Sequence, residues 1–256
     1  MNMEGIEGDA SVGGAARYSL KPTRINNEDI IFCVDVDPES LVEMKTAGVT
    51  RLDSIKQGIL LFVNCKLSIN PDHRFAFATL AKSASWLRRE FSSDVEATIA
   101  AVRALSATTV SSGQADLTNL FRMAAHEAKK SLAQNRILRV ILIYCRSSMR
   151  PHHTFDVNLK SFTMDVIYLH DKPAPGNSPQ AVYDALVEAL EHVSEYEGYI
   201  HESGQGLPRT LCRFMCMLLC HPQQRCPQDD CDIPKALAKK PAESGTEGSV
   251  VVSISQ

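Results

Sequence analysis

Apolar positions along the chain fall into short continuous runs separated by stretches with helical spacing. Residues 29–36 (DIIFCVDV) form an apolar run that ends in acids and enters a Pro-containing loop, the pattern of a buried strand feeding a crossover. Leu52, Ile55, Ile59, Phe62 and Val63 then recur at helical intervals, which predicts a helix over 51–67. Residues 74–82 and 84–88 are short enough for two antiparallel strands, with Trp86 packing under the sheet. A Ser-Ser-Asp cap signal starts a helix over 92–105. Further on, Leu117, Leu120, Phe121, Ala124, Ala128 and Leu132 line one stripe of a helix over 116–134. Residues 139–145 (RVILIYC) are the clearest strand, and 162–169 (FTMDVIYL) form another. Val182, Leu186, Leu190 and Val193 mark a helix over 180–195, and 199–202 reads as a last strand. Strands separated by helices require crossover connections, so the chain predicts a three-layer, doubly wound α/β domain with a mostly parallel sheet and helices on both faces.

The ends follow a different pattern. Residues 1–24 are rich in Gly, Ala and acids and read as a flexible segment, which leaves 25–219 as the domain and 220–256 as a docking peptide with a disordered tail. Within that tail Val250 to Ile254 is an apolar exception, either incidental or a strand for a partner's sheet edge. Before it, residues 211–225 read as a short amphipathic helix running into His221-Pro222-Gln223-Gln224-Arg225. Leu211, Phe214, Met215, Leu218 and Leu219 suit a last core helix, with docking confined to its end.

Composition narrows the function. The chain has 256 residues, 44% hydrophobic and 22% charged, enough for one substantial core. A formal net charge of -3 gives no reason to expect direct nucleic-acid binding. The first residues lack the basic start and apolar centre of a secretory signal, and no run reaches the ~18 apolar residues of a membrane span. An intracellular protein is expected, whose eight cysteines are reduced thiols, Cys33 and Cys145 being small core residues. Cys212, Cys216 and Cys220 fall four apart, with His221, Cys226 and Cys231 following, but the two-residue spacing of a zinc knuckle is missing.

Chemistry belongs where parallel strands end. There lie Asp35, Asp37 and Glu39, three carboxylates within five residues, which read either as hard ligands for Mg²⁺ or as a solvated loop capping the next helix. The Asp-x-Asp spacing of Asp35 and Asp37 resembles haloacid-dehalogenase-type phosphatases, but the later Lys and second acidic pair of those enzymes are missing. The same loop resembles the metal site of von Willebrand A domains, an Asp-x-Ser-x-Ser after the first strand. Asp35 matches its first position, Asp37 and Glu39 replace both hydroxyl residues, and Thr108 or Thr109 supplies the second loop. Arg146-Ser147-Ser148 stands where the family has a carboxylate, and a positive Arg146 would oppose a divalent cation, so the site reads as degenerate: Asp35, Asp37, Glu39 and Thr108 with no metal and no cofactor.

The order of segments 29–36, 74–82 with Trp86, 117–121, 139–146, 162–170 and 218–225 resembles the von Willebrand A-like scaffold subunits of the BRISC and breast-cancer-associated A deubiquitinase complexes. The resemblance covers about residues 25 to 228 and rests most on 140–146, 165–170 and 218–225. It implies a non-catalytic subunit, in nucleus and cytoplasm, that stabilises a complex acting in DNA-damage and cytoplasmic ubiquitin signalling. The implied partners are a JAMM-type metalloprotease that cleaves polyubiquitin joined through lysine sixty-three, its coiled-coil partner, a scaffold subunit with ubiquitin-conjugating-enzyme-variant domains, and polyubiquitin. It also implies that Leu218, Leu219, His221, Pro222 and Arg225 dock into such a domain, Leu219 by apolar burial and Arg225 by a bidentate salt bridge. The chain departs from the family at Gln223 and at Cys226-Pro227. The alternative is a Mg-dependent phosphatase or metal-dependent ligand-binding module that uses Asp35 and Asp37.

Overall fold

The computed structural model describes residues 25–231, apart from 46–47, 157–159 and 205. The flexible segment expected over 1–24, the tail from 232 and the apolar stretch Val250 to Ile254 lie outside the described residues.

Six strands form one sheet: β1 (Asn27–Asp35), β2 (Arg74–Leu80), β3 (Ala84–Ser92), β4 (Arg136–Tyr144), β5 (Thr163–Leu169) and β6 (Ile200–Ser203), in the order β3-β2-β1-β4-β5-β6. Every neighbouring pair is parallel except β2 and β3. Both faces are covered. Helices α1 (Arg51–Ile69), α2 (Val95–Ala104) and α5 (Pro208–Met217) lie on one side, and α3 (Thr118–Ala133) and α4 (Pro179–Val193) on the other. This is the doubly wound α/β architecture that the pattern predicts. Among the described residues no helix is long and apolar enough to cross a membrane.

Covering both faces explains why the strands read as unbroken apolar runs rather than alternating ones. Along β1, Ile31 and Cys33 enter the α3/α4 layer, whereas Ile30, Phe32 and Val34 enter the α1/α5 layer. Phe32 is the hub of the second layer, meeting Phe62 edge-on at 5.4 Å and stacking on Phe77 at 6.0 Å. Helix α1 begins where the sequence supplies a capping box: Thr50 accepts from the Asp53 N–H and Asp53 accepts from the Thr50 N–H.

Several expectations shift. Strand β3 extends to Ser92, so α2 starts at Val95 under the Asp94 cap. Leu132 is exposed rather than part of the α3 stripe; Ser131 takes the inward position and donates to Asp29 Oδ2 at 2.7 Å. The largest change concerns the end of the domain. Helix α5 stops at Met217, and residues 218–231 continue as a strap with two 3-10 turns, Pro222–Gln224 and Gln228–Cys231, lying on the sheet. Residues 220–231, expected to form a docking peptide, are packed against the domain.

Gly198 shows how tightly the turn before β6 is packed. A Cβ there would run into the Met164 carbonyl and the Leu190 side chain. Gly198→Ala should lower the unfolding free energy by about 1–3 kcal/mol, measurable by urea denaturation as a lower midpoint with an unchanged slope.

Candidate functional site

Strand order reverses between β1 and β4, so the carboxyl ends of these two strands define the crevice where a doubly wound sheet places its chemistry. Asp35 ends β1, and Cys145 and Arg146 follow β4. Arg146 lies across Asp35: its Nε donates to both carboxylate oxygens at 3.1 and 3.2 Å, and its Nη2 donates to Oδ1 at 3.0 Å. The same guanidinium donates to the carbonyls of Ala81 and Gln114, and so ties together the loops after β2, after α2 and after β4. Asp35 accepts further from the N–H groups of Cys145 at 3.1 Å and Asp37 at 3.2 Å.

The neighbouring acids are engaged in the same way. Asp37 accepts from the Ser111 hydroxyl at 2.7 Å and stands 3.7 Å from Arg146, and Glu39 accepts from the Ser147 N–H at 2.8 Å. Thr108 has its hydroxyl 3.1 Å from the carbonyls of both Val36 and Val110, so it ties its own loop to the one after β1. A second buried arginine, Arg51, donates to the Glu39 and Cys145 carbonyls at 3.2 Å each and pairs with Asp171. Burial pushes the Asp35 carboxyl up from its ordinary value while Arg146 pulls it down; burial works against the Arg146 charge, yet Asp35 holds the guanidinium above its ordinary value. These residues do not fit a divalent cation. The position that needs anionic or neutral oxygen donors holds a fixed positive charge, and carboxylate lone pairs are taken by N–H and O–H donors. Among the described residues no group of three or more His, Cys, Asp or Glu side chains could hold a metal ion.

A second charged cluster lies at the opposite, amino end of the strands. Arg139 of β4, fully buried, donates to Asp165 at 2.6 Å, to Glu28 at 3.2 Å and to the Leu218 carbonyl at 2.7 Å. Lys66 of α1 also pairs with Glu28. Arg225 completes the cluster from the strap, gripping Asp165 with two bonds of 2.6 and 3.0 Å and stacking 4.4 Å from the Tyr199 ring centroid. Arg225, expected to dock into a partner, makes its bidentate salt bridge within the chain here, and its side chain is 0% exposed. The other proposed docking residues follow. Leu218 is wholly buried, Pro222 is buried, and His221 lies inward with its Nε2 2.9 Å from the Asn26 carbonyl; only Leu219 is half-buried. Proton binding in this cluster is skewed by its surroundings. Burial acts to raise Asp165, but Arg139 and Arg225 outweigh it and hold it at about 2. Burial brings His73 down to about 4, and its Nδ1 accepts from the Glu28 N–H at 3.0 Å.

The architecture and the crevice together define a von Willebrand A fold. The structure resembles the von Willebrand A domain of SpRpn10 with a TM-score of 0.51 at 15% identity, covering 75% of this chain and 95% of that one. It resembles the PilB minor pilin from Streptococcus sanguinis with a TM-score of 0.53 at 11% identity, covering 81% of this chain and 64% of the pilin. Both likenesses are of fold alone. No family model matches the chain. In sequence, it is 26% identical over 227 residues to "BRISC and BRCA1-A complex member 1" of Xenopus tropicalis, spanning 81% of this chain and 70% of that protein. It is 24% identical over 232 residues to the Homo sapiens protein of the same name, spanning 82% and 69%. These are distant homologues over most of the chain.

Sequence reasoning missed the amino-end cluster, although two signals for it were present. Arg139 and Asp165 each sit inside an apolar run that a parallel sheet buries on both faces.

Two outcomes follow from the geometry. Arg146→Met leaves Asp35 buried without its counter-charge and should cost about 3–5 kcal/mol of unfolding free energy, with part of the loss recovered in the Asp35→Asn/Arg146→Met double variant; urea denaturation of the three variants measures both. The second concerns acid. His73 takes up a proton near 6.5 when unfolded but only near 4 when folded, so stability should fall as pH drops from about 6.5 to 4. Burial also lowers His201 and His221, so both add to the loss of stability as pH falls below about 6.5. The Asp165 contribution, complete above its ordinary value of 3.8, goes as pH falls towards 2. Melting temperatures measured across this range should decline in both windows, and His73→Asn should make the upper decline shallower, leaving the share of His201 and His221, without touching the lower.

Proposed function

We propose that the chain is a non-catalytic scaffold subunit of a deubiquitinase complex of the kind its distant homologues are named for. The observation that carries this reading is the use made of the crevice. Asp35, Asp37 and Glu39 are the residues that phosphoryl transfer or metal-dependent ligand binding would need, and all three accept hydrogen bonds that brace the domain. A carboxylate clamped by a buried guanidinium is neither a free nucleophile nor a free ligand. The Mg-dependent phosphatase and metal-dependent binding alternatives therefore lose their central residue, and support shifts to a role in which the domain acts through its surface.

In this reading the subunit steadies a JAMM-type metalloprotease and its coiled-coil partner on polyubiquitin joined through lysine sixty-three, in nucleus and cytoplasm, during DNA-damage and receptor signalling. Its neighbour is a scaffold subunit with ubiquitin-conjugating-enzyme-variant domains. Leu218, His221, Pro222 and Arg225 are committed inward, so the dock is the outer surface of the same segment. Arg213, Cys216, Met217, Cys220 and Gln224 are exposed there, with Leu219 half-buried beside them. Such a surface combines an arginine with apolar side chains, the pairing common at the centres of interfaces.

The test is affinity purification of the full chain from its native cells beside an Arg213→Glu/Met217→Asp variant, with mass spectrometry and a ubiquitin-chain cleavage assay on each eluate. Recovery of protease and cleavage activity should fall by about tenfold or more in the variant while its melting temperature is unchanged. Equal recovery from both would move the dock elsewhere, and no protease with the unmutated chain would sink the scaffold reading.

A further inference from the structure

The strap ends in two thiols that the scaffold reading leaves unused. Cys226 and Cys231 lie with their sulphurs 3.4 Å apart; Cys226 is half-buried and Cys231 exposed. Tyr199 holds both, its hydroxyl donating to the Cys226 carbonyl at 2.9 Å and lying 3.2 Å from the Cys231 sulphur.

The segment between them is fixed at each end. Arg225, immediately before Cys226, is locked onto Asp165 and stacked on the Tyr199 ring. Gln228 then mimics an added strand on the free edge of β6: its Oε1 accepts from the Ile200 N–H at 2.8 Å and its Nε2 donates to the Ile200 carbonyl at 2.7 Å. Within the 3-10 turn that follows, the Asp230 N–H donates to the Pro227 carbonyl at 3.0 Å. Two thiols already held in contact have surrendered most of the chain freedom that ring closure removes, which favours exchange within the chain over exchange with a second molecule.

We propose that Cys226 and Cys231 form a reversible dithiol site, oxidised by glutathione disulfide to an internal disulfide that locks the strap over the amino end of the sheet. In the first step one protein thiolate attacks a sulphur of glutathione disulfide, forming a mixed disulfide and releasing one glutathione thiolate. In the second, the other protein thiolate attacks the protein sulphur of that mixed disulfide and expels the second glutathione. The chain loses two hydrogen atoms and the oxidant becomes two glutathione thiols. Excess reduced glutathione runs both steps backwards.

Selectivity within the chain follows from placement. Cys33 and Cys145 are wholly buried in the two core layers. Cys220, exposed just after α5 and outside the Tyr199 hydrogen bonds, should give a mixed disulfide with glutathione, whereas Cys212 and Cys216 hydrogen-bond each other on the exposed side of α5. The hydrogen bond with Cys231 raises the Cys226 thiol from its ordinary value, so oxidation should quicken in mildly alkaline buffer.

The full chain, equilibrated in glutathione buffers of increasing oxidised share, acid-quenched and alkylated with iodoacetamide, is read by intact mass and peptide mapping. The peptides carrying Cys226 and Cys231 should lose two hydrogens and become linked, at a buffer at least about tenfold more reducing than the one that half-modifies Cys220. Cys226→Ser should abolish the linked product and leave a lasting glutathione adduct on Cys231, and Cys231→Ser should give the mirror result. A lasting glutathione adduct on either residue of the unmutated chain would overturn the proposal. So would alkylation of both residues in a buffer that fully converts Cys220.

Discussion

A guanidinium buried in a parallel sheet must be answered by anions and carbonyls within reach, and Arg139 imposes that demand on the whole amino end of this domain. Unpaired, such a charge would cost several kcal/mol. It is answered by Glu28 from the neighbouring strand, Asp165 from the next strand and the Leu218 carbonyl from the end of α5. Asp165, once drawn in, has capacity for a second cation, and Arg225 supplies it. The strap follows from this sequence of demands: the chain after α5 lies on the sheet because a buried carboxylate holds it there. His221 and Gln223 add bonds to Asn26, and the first strand is thereby fastened to the last segment of the domain.

The carboxyl end repeats the principle with a different consequence. Arg146 spans the point where the sheet reverses its winding, and its bonds to Asp35, Ala81 and Gln114 join the three loops that would otherwise frame an open cleft. Stability and ligand binding compete for the same lone pairs there, and stability takes them. A domain with both strand ends closed by its own arginines retains its outer helix faces for recognition, which is why the exposed side of α5 and the strap carry the functional reading.

Most of the fold was legible because parallel strands and amphipathic helices leave different hydrophobic periods. The runs at β1, β4 and β5 are unbroken since both faces are buried, and the capping box at Thr50 and Asp53 marks the start of α1. The sequence also placed Arg146 beside Asp35 at the carboxyl end of the sheet, where the two side chains meet. What the sequence concealed depends on distant pairing. Residues 165 and 225 are 60 apart, and nothing local to either indicates that they meet. A Pro- and Gln-rich segment with an arginine reads as a docking peptide, and the sequence gives no sign that this arginine also pairs with Asp165 of the chain's own fifth strand. Leu132 failed for a geometric reason, since Ser131 at the end of α3 turns inward to Asp29 in its place.

The sheet edges carry the argument about partners one step further. An open strand edge invites another chain to pair with it, and proteins blunt such edges with charge, bulges or cover. Along β3, the ladder to β2 is interrupted by register shifts opposite Phe75 to Ala78 of β2, and Arg88 and Arg89 reach to the Ala97 carbonyl and Glu127. On β6, Gln228 occupies the Ile200 backbone from outside. With these edge groups engaged, strand addition becomes the costlier way to attach a partner, since it would first have to displace Gln228 and the strap that carries it. Association through side chains on α5 leaves the buried network intact. It also explains how one segment can be structural on its inner side, through Leu218 and Arg225, while presenting Arg213 and Met217 on its outer side.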